Sequence, residues 1–301
     1  MGPLSSYSNA TIKNRLLHLQ DKHAHLQNLL HYTTHLTDRP DAEWMIFIHG
    51  AGGSSLTWKF QIEGFKPFYN LLLIDMRDHG YSKNLQPSYR VYDFDIIADD
   101  LLRTIDHAGV SRAHFIALSL GSIILQKLNA RRPELMTTMI MCGGVFKADW
   151  RISNFAHFGK FFSYFVPFRW IYDGFILIVM PRKNHKFSRD QYRKQSLKLA
   201  PGEFLKWLGL YKDFFSVVGK FYERELKTPS LLVNGSQDHV FLDAARRYTK
   251  KHQPLAKLVI MEGRGHLCNL EDRKGFNRIV LEWLEGRKQA SGHNKESRNI
   301  K

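Results

Sequence analysis

Cysteine is scarce in this sequence, with only two residues of this type among 301, Cys142 and Cys268. A secreted domain that is held together by disulfides carries more cysteines at patterned spacing, so we expect both thiols to be reduced and the protein to be cytoplasmic. The N-terminus shows no basic stretch followed by an apolar one, and we expect no signal peptide. The most apolar window, residues 161–180, contains a proline, an arginine and an aspartate, which argues against a membrane-spanning helix.

Acidic residues are also few, since 28 Asp and Glu face 44 Lys and Arg and leave a formal net charge of +16. A charge of this size favours anionic partners, among them nucleic acid, an anionic membrane surface and acidic metabolites, although it also keeps a protein soluble. No nucleic-acid-binding motif accompanies the charge, and we expect no nucleic-acid partner. Apolar residues make up 44% of the chain, enough for the core of one large α/β domain or of two modest ones.

Short apolar runs alternate with segments of helical periodicity along most of the chain. The runs predict strands within 44–50, 70–80, 115–118, 136–144, 229–235 and 256–263, and the periodicity predicts helices within 90–110 and 121–133. Near-continuous Val, Ile and Leu runs are typical of parallel strands that are buried on both faces. The sequence therefore predicts an α/β fold with a mostly parallel sheet and helices on both faces.

This alternation stops between residues 146 and 227, where no clean strand pattern is present. The segment holds 21 of the 39 aromatic residues and 16 Lys and Arg against seven Asp and Glu. We interpret it as an inserted helical region, so that residues 1–145 and 228–290 form the core. The polar C-terminus, residues 291–301, is predicted to be a disordered tail.

A single serine lies between two apolar segments in HFIALSLGSIILQ, residues 114–126. If the apolar run before it forms a strand and a helix follows, Ser119 lies on the sharp turn between them, with a strained backbone and an exposed hydroxyl. Ala117 and Gly121 are the small neighbours that such a crowded turn needs. The N–H of Leu120 would then point from the helix N-terminus towards an oxyanion. A buried serine that caps a core helix is the alternative.

The string ALSLGS, residues 117–122, resembles the nucleophile elbow of the α/β-hydrolase superfamily, commonly written G-x-S-x-G, with alanine in place of the first glycine. Upstream, FIHGAGGSS is similar to the His-Gly loop of the same family, which supplies a second backbone N–H to the oxyanion hole. By this resemblance the donor is Ala51, and His49, Gly50 and Gly52 support the loop. A phosphate-binding glycine loop is the rival interpretation, but the Lys-Ser/Thr pair that normally follows is missing.

Three further segments resemble family signatures and follow in the family's order. LIDMRDHGYS matches D-x-R-x-x-G-x-S, in which Asp75 and Arg77 would hold loops together or bind substrate. LLVNGSQDHVF places Asp238 at the acid position after a late strand, and MEGRGHLCNL places His266 after the last strand. Asp149, which follows an earlier strand, is the alternative acid.

The resemblance implies the chemistry of a serine hydrolase. Ser119 would be the nucleophile, His266 the general base and Asp238 the residue that orients the imidazole. The N–H groups of Leu120 and Ala51 would hold the oxyanion. The expected substrate is a small molecule with a carboxylic (acyl) ester, and the reaction needs no metal or organic cofactor. A thioesterase, or a non-hydrolytic lyase or binding protein on the same fold, is the alternative.

In this family the segment after the sixth strand often forms a helical cap over the active site, and residues 146–227 fall there. The aromatic residues of the segment would give the pocket an apolar mouth, which favours an acyl or aromatic ester of moderate size. Its basic residues would attract anionic substrates such as phospholipids or coenzyme A thioesters, or would make peripheral contact with an anionic membrane. A solvated basic face is the simpler alternative.

Overall fold

The computed structural model describes residues 28–147, 154, 158–159, 162–163 and 165–296. Its strands are β1 (Tyr32–His35), β2 (Trp44–Ile48), β3 (Asn70–Ile74), β4 (Ala113–Leu118), β5 (Met136–Cys142), β6 (Ser230–Gly235) and β7 (Ala256–Met261). They form one seven-stranded sheet in the order β1-β3-β2-β4-β5-β6-β7. Neighbouring strands are parallel except for β1 and β3, which pair antiparallel at one edge.

Helices connect and cover the strands. Those of the described residues are α1 (Lys59–Phe65), α2 (Phe94–His107), α3 (Gly121–Arg131), α4 (Phe168–Val179), α5 (Lys186–Ser196), α6 (Pro201–Gly209), α7 (Tyr211–Glu223), α8 (Leu242–Lys251), α9 (Cys268–Glu271) and α10 (Arg273–Glu296). Helices α2 and α3 pack together, as do α1 and α10. Within the described residues, no helix is both long and apolar enough to cross a membrane.

The predicted fold class is confirmed, because the apolar runs of the sequence form the central strands. Every residue of β4 and of β6 is buried, as expected for parallel strands with helices on both faces. Strand β7 lies at the opposite edge from β1, and its middle residues are half-buried or exposed. The runs are therefore most continuous where the strands are central.

Helices α4 to α7 occupy the segment between β5 and β6, and its described residues form no strand. At the other end of the chain, helix α10 continues through Glu296. Residues 291–296 are thus helical where the sequence indicates a disordered tail. These six residues extend an existing helix, which needs no new nucleation, and no proline interrupts them.

The parallel arrangement decides where the candidate residues lie. The carboxyl ends of β2, β4, β5, β6 and β7 all meet the same edge of the sheet, since these strands are parallel. The His-Gly loop, the elbow serine, the candidate acid and the candidate base each directly follow one of these strands. One edge of the sheet therefore gathers residues that are up to 217 positions apart, between His49 and His266.

Candidate active site

Ser119 lies on a strained turn between β4 and α3. Its φ angle is +50°, in the left-handed region that a residue with a side chain rarely adopts. Its N–H donates to the carbonyl oxygen of Cys142 at 2.9 Å, which fixes the turn against the end of β5. The serine is half-buried. A strained backbone that holds a polar side chain at the edge of a sheet is the geometry of a nucleophile elbow.

Gly121 allows this turn to approach the neighbouring strand. A Cβ atom placed on Gly121 would lie 2.6 Å from the carbonyl oxygen of His49 and 3.0 Å from that of Ile48. Ser122 adds a support that sequence reasoning missed: its hydroxyl donates to the Ser119 carbonyl at 2.7 Å and accepts the N–H of Val145 at 2.9 Å. The sequence does show a second serine in ALSLGS, and this was the signal that could have indicated the supporting role of Ser122.

The His-Gly loop forms a tight turn next to the elbow. The N–H of Gly53 donates to the carbonyl of Gly50 at 3.1 Å, so that half-buried Ala51 lies in the turn between them. Gly52 has φ +71°, a conformation that favours glycine. A Cβ placed on Gly50 would lie 3.2 Å from the Cβ of Ser119, which shows how closely loop and elbow approach each other.

Leu120, the other predicted oxyanion donor, immediately precedes α3. The first N–H groups of a helix have no partner within the helix, and the helix dipole favours a negative charge there. The backbone that follows Ser119 thus offers an environment suited to an anion. Leu120 is half-buried, like the serine itself.

Two buried histidines anchor the loop. His49 Nδ1 donates to the carbonyl of Gly50 at 2.8 Å, and its Nε2 accepts the N–H of Met76 at 2.9 Å. His79 Nδ1 donates to the carbonyl of Arg77 at 2.9 Å, and its Nε2 accepts the N–H of Gly52 at 3.0 Å. Burial lowers the pKa of His49, and burial together with the nearby His49 lowers the pKa of His79 to about 3. Both rings therefore stay neutral.

Because these histidines are neutral in the folded protein, we expect the protein to lose stability as the pH falls. The unfolded state binds a proton at His79 below its ordinary pKa of 6.5, whereas the native state does so only near 3. The free energy of unfolding should fall by about 2 kcal/mol between pH 6.5 and pH 5 through His79. His79→Gln, whose amide can also donate and accept, should flatten this decline in urea unfolding at pH 7, 6 and 5. Equal slopes for variant and wild type would contradict the neutral buried imidazole.

Asp75 and Arg77 hold the neighbouring loops. The carboxylate of Asp75 accepts the N–H of Ser55 at 2.6 Å and that of Tyr81 at 2.9 Å. Burial raises the pKa of Asp75, whereas the hydrogen bonds from these two N–H groups lower it, and the pKa lies below its ordinary value. Arg77 makes two hydrogen bonds to the carboxylate of Asp100, at 2.6 and 2.7 Å. Both side chains are buried in protein contacts.

Asp238 and His266, on the loops after β6 and β7, form a buried hydrogen-bonded pair. His266 Nδ1 donates to Asp238 Oδ2 at 2.9 Å, and the two side chains are 4% and 0% exposed. Asp238 Oδ1 accepts the N–H of Phe241 at 3.2 Å, and the Phe241 ring lies 4.9 Å from the imidazole, measured between ring centroids. Because the proton lies on Nδ1, Nε2 is the basic nitrogen.

Gly143 connects this pair to the serine. It follows Cys142, the residue whose carbonyl accepts the N–H of Ser119. Gly143 has φ +54°, and a Cβ placed on it would lie 2.9 Å from Nδ1 of His266. The imidazole of His266 therefore packs on the backbone of Gly143, next to Cys142, whose carbonyl binds Ser119 at the same edge of the sheet. Asp149, the alternative acid, lies outside the described residues.

Helix α5 and the turn before it contact the loops on both sides of the site. Gln195 Oε1 accepts the hydroxyls of Ser54 at 2.9 Å and Thr57 at 3.1 Å, next to the His-Gly loop. On the other side, His185 Nε2 donates to Gln237 Oε1 at 2.9 Å, one residue before the candidate acid. The inserted segment is thus attached to both halves of the site.

The pattern that describes the alpha/beta hydrolase family matches residues 45–279, which include every candidate residue named above. The chain belongs to the alpha/beta hydrolase family. It is a hydrolase of the alpha/beta type, and the described geometry shows how this member builds its elbow, its His-Gly loop and its buried acid–base pair.

Known alpha/beta hydrolases similar to this chain differ in their named reactions. RutD of Stutzerimonas stutzeri, whose name assigns it provisionally to carbamate hydrolysis, is 24% identical over 265 residues, covering 85% of this chain and 96% of RutD. The 3-oxoadipate enol-lactonase 2 of Acinetobacter baylyi is 24% identical over 273 residues, covering 88% of this chain and 96% of the lactonase. A crystal structure from work on carboxylesterases of Nitrososphaera gargenis aligns with a TM-score of 0.72 and 19% identity, covering 86% of this chain and 95% of that one.

Proposed function

We propose that this alpha/beta hydrolase cleaves carboxylic esters through Ser119, His266 and Asp238. The observation that carries the proposal is the combination of a strained serine and a buried Asp–His pair at one edge of the sheet. Serine at the elbow also fits an acyl-enzyme mechanism, because its hydroxyl becomes nucleophilic only when a base lies within reach.

In the proposed mechanism Nε2 of His266 takes the hydroxyl proton of Ser119 while the serine oxygen attacks the acyl carbon. The N–H groups of Leu120 and Ala51 stabilise the oxygen that gains negative charge. The tetrahedral intermediate collapses, the alcohol leaves with the proton from His266, and the acyl group remains on the serine. Water, activated by the same imidazole, then releases the acid.

The hydrogen bond between His266 Nδ1 and Asp238 supports this division of roles. It holds the tautomer in which Nε2 can accept a proton, and the carboxylate stabilises the imidazolium that forms. The names of the similar proteins are consistent with acyl transfer to water, since a lactone is a cyclic ester and a carbamate has an acyl carbon bonded to nitrogen and oxygen. We place small to medium acyl esters first among the substrates.

A chain-length panel tests the proposal. Purified protein is assayed with p-nitrophenyl esters of two to eight carbons and with the matching acyl-coenzyme A thioesters. We expect turnover of esters with an optimum at short or medium length, and loss of that turnover in Ser119→Ala. A preference for thioesters in kcat/KM would assign the protein to the thioesterase alternative, and the absence of both turnover and an initial burst would favour a binding protein.

A further inference from the structure

Two tyrosine hydroxyls of the inserted segment reach the His-Gly loop. Tyr172, on α4, is so close to the loop that a Cβ placed on Gly52 would lie 2.3 Å from its hydroxyl oxygen. Tyr192, on α5, has its hydroxyl oxygen 3.4 Å from the equivalent point on Gly50, which is itself 3.2 Å from the Cβ of Ser119. Both hydroxyls therefore lie beside the loop that carries the predicted oxyanion donor Ala51, and that of Tyr192 also lies near the elbow.

The hydroxyl of Tyr172 has no hydrogen-bond partner among the described residues. Both side chains are buried, with 3% and 6% exposure for Tyr172 and Tyr192. The Tyr192 hydroxyl interacts with Thr57 and the backbone of Gly50, whereas the Tyr172 hydroxyl lies beside Gly52 with no hydrogen bond to it. Burial raises the pKa of both phenols, so each remains protonated and can donate.

Packing alone does not account for these hydroxyls. Phenylalanine is the usual aromatic residue of this segment, with 13 of the 21 aromatic positions between residues 146 and 227. A phenylalanine at position 172 would fill the same space without burying an unpaired hydroxyl, which costs free energy. Two other buried donors of the segment are satisfied: Trp207 Nε1 donates to the carbonyl of Arg77 at 3.1 Å, and Ser188 donates to Glu271 at 3.0 Å.

We propose that the hydroxyl of Tyr172, assisted by that of Tyr192, binds a second acceptor oxygen of the substrate, so that the preferred esters carry a keto or related carbonyl oxygen in addition to the scissile group. This inference rests on the proposed ester hydrolysis. The scissile oxygen is assigned to the N–H groups of Ala51 and Leu120, so a protonated phenol beside the loop can donate to a different acceptor. A plain hydrocarbon chain would leave the Tyr172 hydroxyl unpaired.

Isosteric ester pairs test the proposal. To vary the acyl group, p-nitrophenyl 4-oxopentanoate is compared with p-nitrophenyl 4-methylpentanoate. To vary the alcohol, the 2-oxopropyl ester of butanoic acid is compared with its 2-methylpropyl ester. Wild type should prefer the keto ester of at least one pair. Tyr172→Phe should lower the ratio of kcat/KM for the keto ester to that for its isostere about tenfold. Tyr222→Phe, on α7, is the matched control and should keep the wild-type ratio.

Thermal unfolding of the same variants gives a second readout. Because the Tyr172 hydroxyl has no hydrogen-bond partner among the described residues, Tyr172→Phe should have a Tm equal to or above that of wild type. A lower Tm, or an unchanged kcat/KM ratio in both ester pairs, would overturn the inference. If wild type cleaves all four esters without preference, the inference alone fails. If it cleaves none of them, the inference fails together with the ester hydrolysis on which it depends.

Discussion

Ser119→Ala should lower kcat for ester hydrolysis about 10⁵- to 10⁶-fold, the size of effect seen when the nucleophile of a serine triad is removed. The alanine leaves His266 without an oxygen to activate, while the oxyanion donors, which belong to the backbone, remain in place. The turn itself is held by the backbone N–H of Ser119, which alanine keeps, and alanine tolerates the left-handed backbone about as well as serine does. We therefore expect Tm to change by no more than about 2 °C.

Ser122→Ala is the matched control for this experiment. In wild type the Ser122 hydroxyl supports the elbow through the Ser119 carbonyl and the Val145 N–H. Its loss should lower the free energy of unfolding by about 1–3 kcal/mol. Its kcat should stay within about tenfold of wild type, because the base and the nucleophile remain. A Ser119→Ala protein that retains more than about a hundredth of the wild-type kcat would show that another group attacks the ester.

Gly235→Ala should unfold the protein at a much lower temperature and disable the acid–base pair at the same time. A Cβ on Gly235 would lie 2.1 Å from the carbonyl oxygen of Arg264 and 2.3 Å from that of Gly265, both in the loop before His266. Backbone atoms cannot rotate away as a flexible side chain would. We expect a loss of about 3 kcal/mol, a drop in Tm of roughly 5–10 °C, and a fall in kcat of about 100-fold where the protein remains folded.

Gly219→Ala tests whether this effect depends on position. Gly219 lies within α7, and a Cβ placed there meets no described atom within 4 Å. Alanine in a helix interior is more favourable than glycine by up to about 1 kcal/mol, so this variant should match or exceed wild type in Tm and keep its activity. Gly235→Ala with wild-type Tm would mean that the loops after β6 and β7 are not packed against each other as described.

The residues that the sequence predicted well are those with local signals. The strands were predictable because central parallel strands are buried along their whole length, as β4 and β6 show. Asp238 and His266 could be expected near each other because each follows a parallel strand, and parallel strands end at one edge; their roles as acid and base rest on the family resemblance. The strain at Ser119 followed from the need to turn from strand to helix within three residues. Local pattern and sheet topology together were sufficient to place these residues at one edge of the sheet, and their catalytic roles stay a prediction.

The contacts of the inserted segment had no such signal. Tyr172 and Tyr192 lie more than 50 residues beyond Ser119, on helices whose orientation depends on tertiary packing. Nothing in their neighbouring sequence separates a tyrosine that reaches the His-Gly loop from one that covers the core. His79 was missed for a similar reason, because its bond to the N–H of Gly52 forms between two loops that are 27 residues apart.

Covalent labelling with a fluorophosphonate tests the central claim most directly. The reagent phosphonylates a serine that is activated by a neighbouring base, and mass spectrometry of the intact protein and its peptides locates the adduct. The account predicts one adduct per chain, on Ser119, with labelling that is strongly slowed in His266→Gln and absent in Ser119→Ala. Folded wild-type protein that stays unlabelled, or that carries its adduct on a different residue, would contradict it.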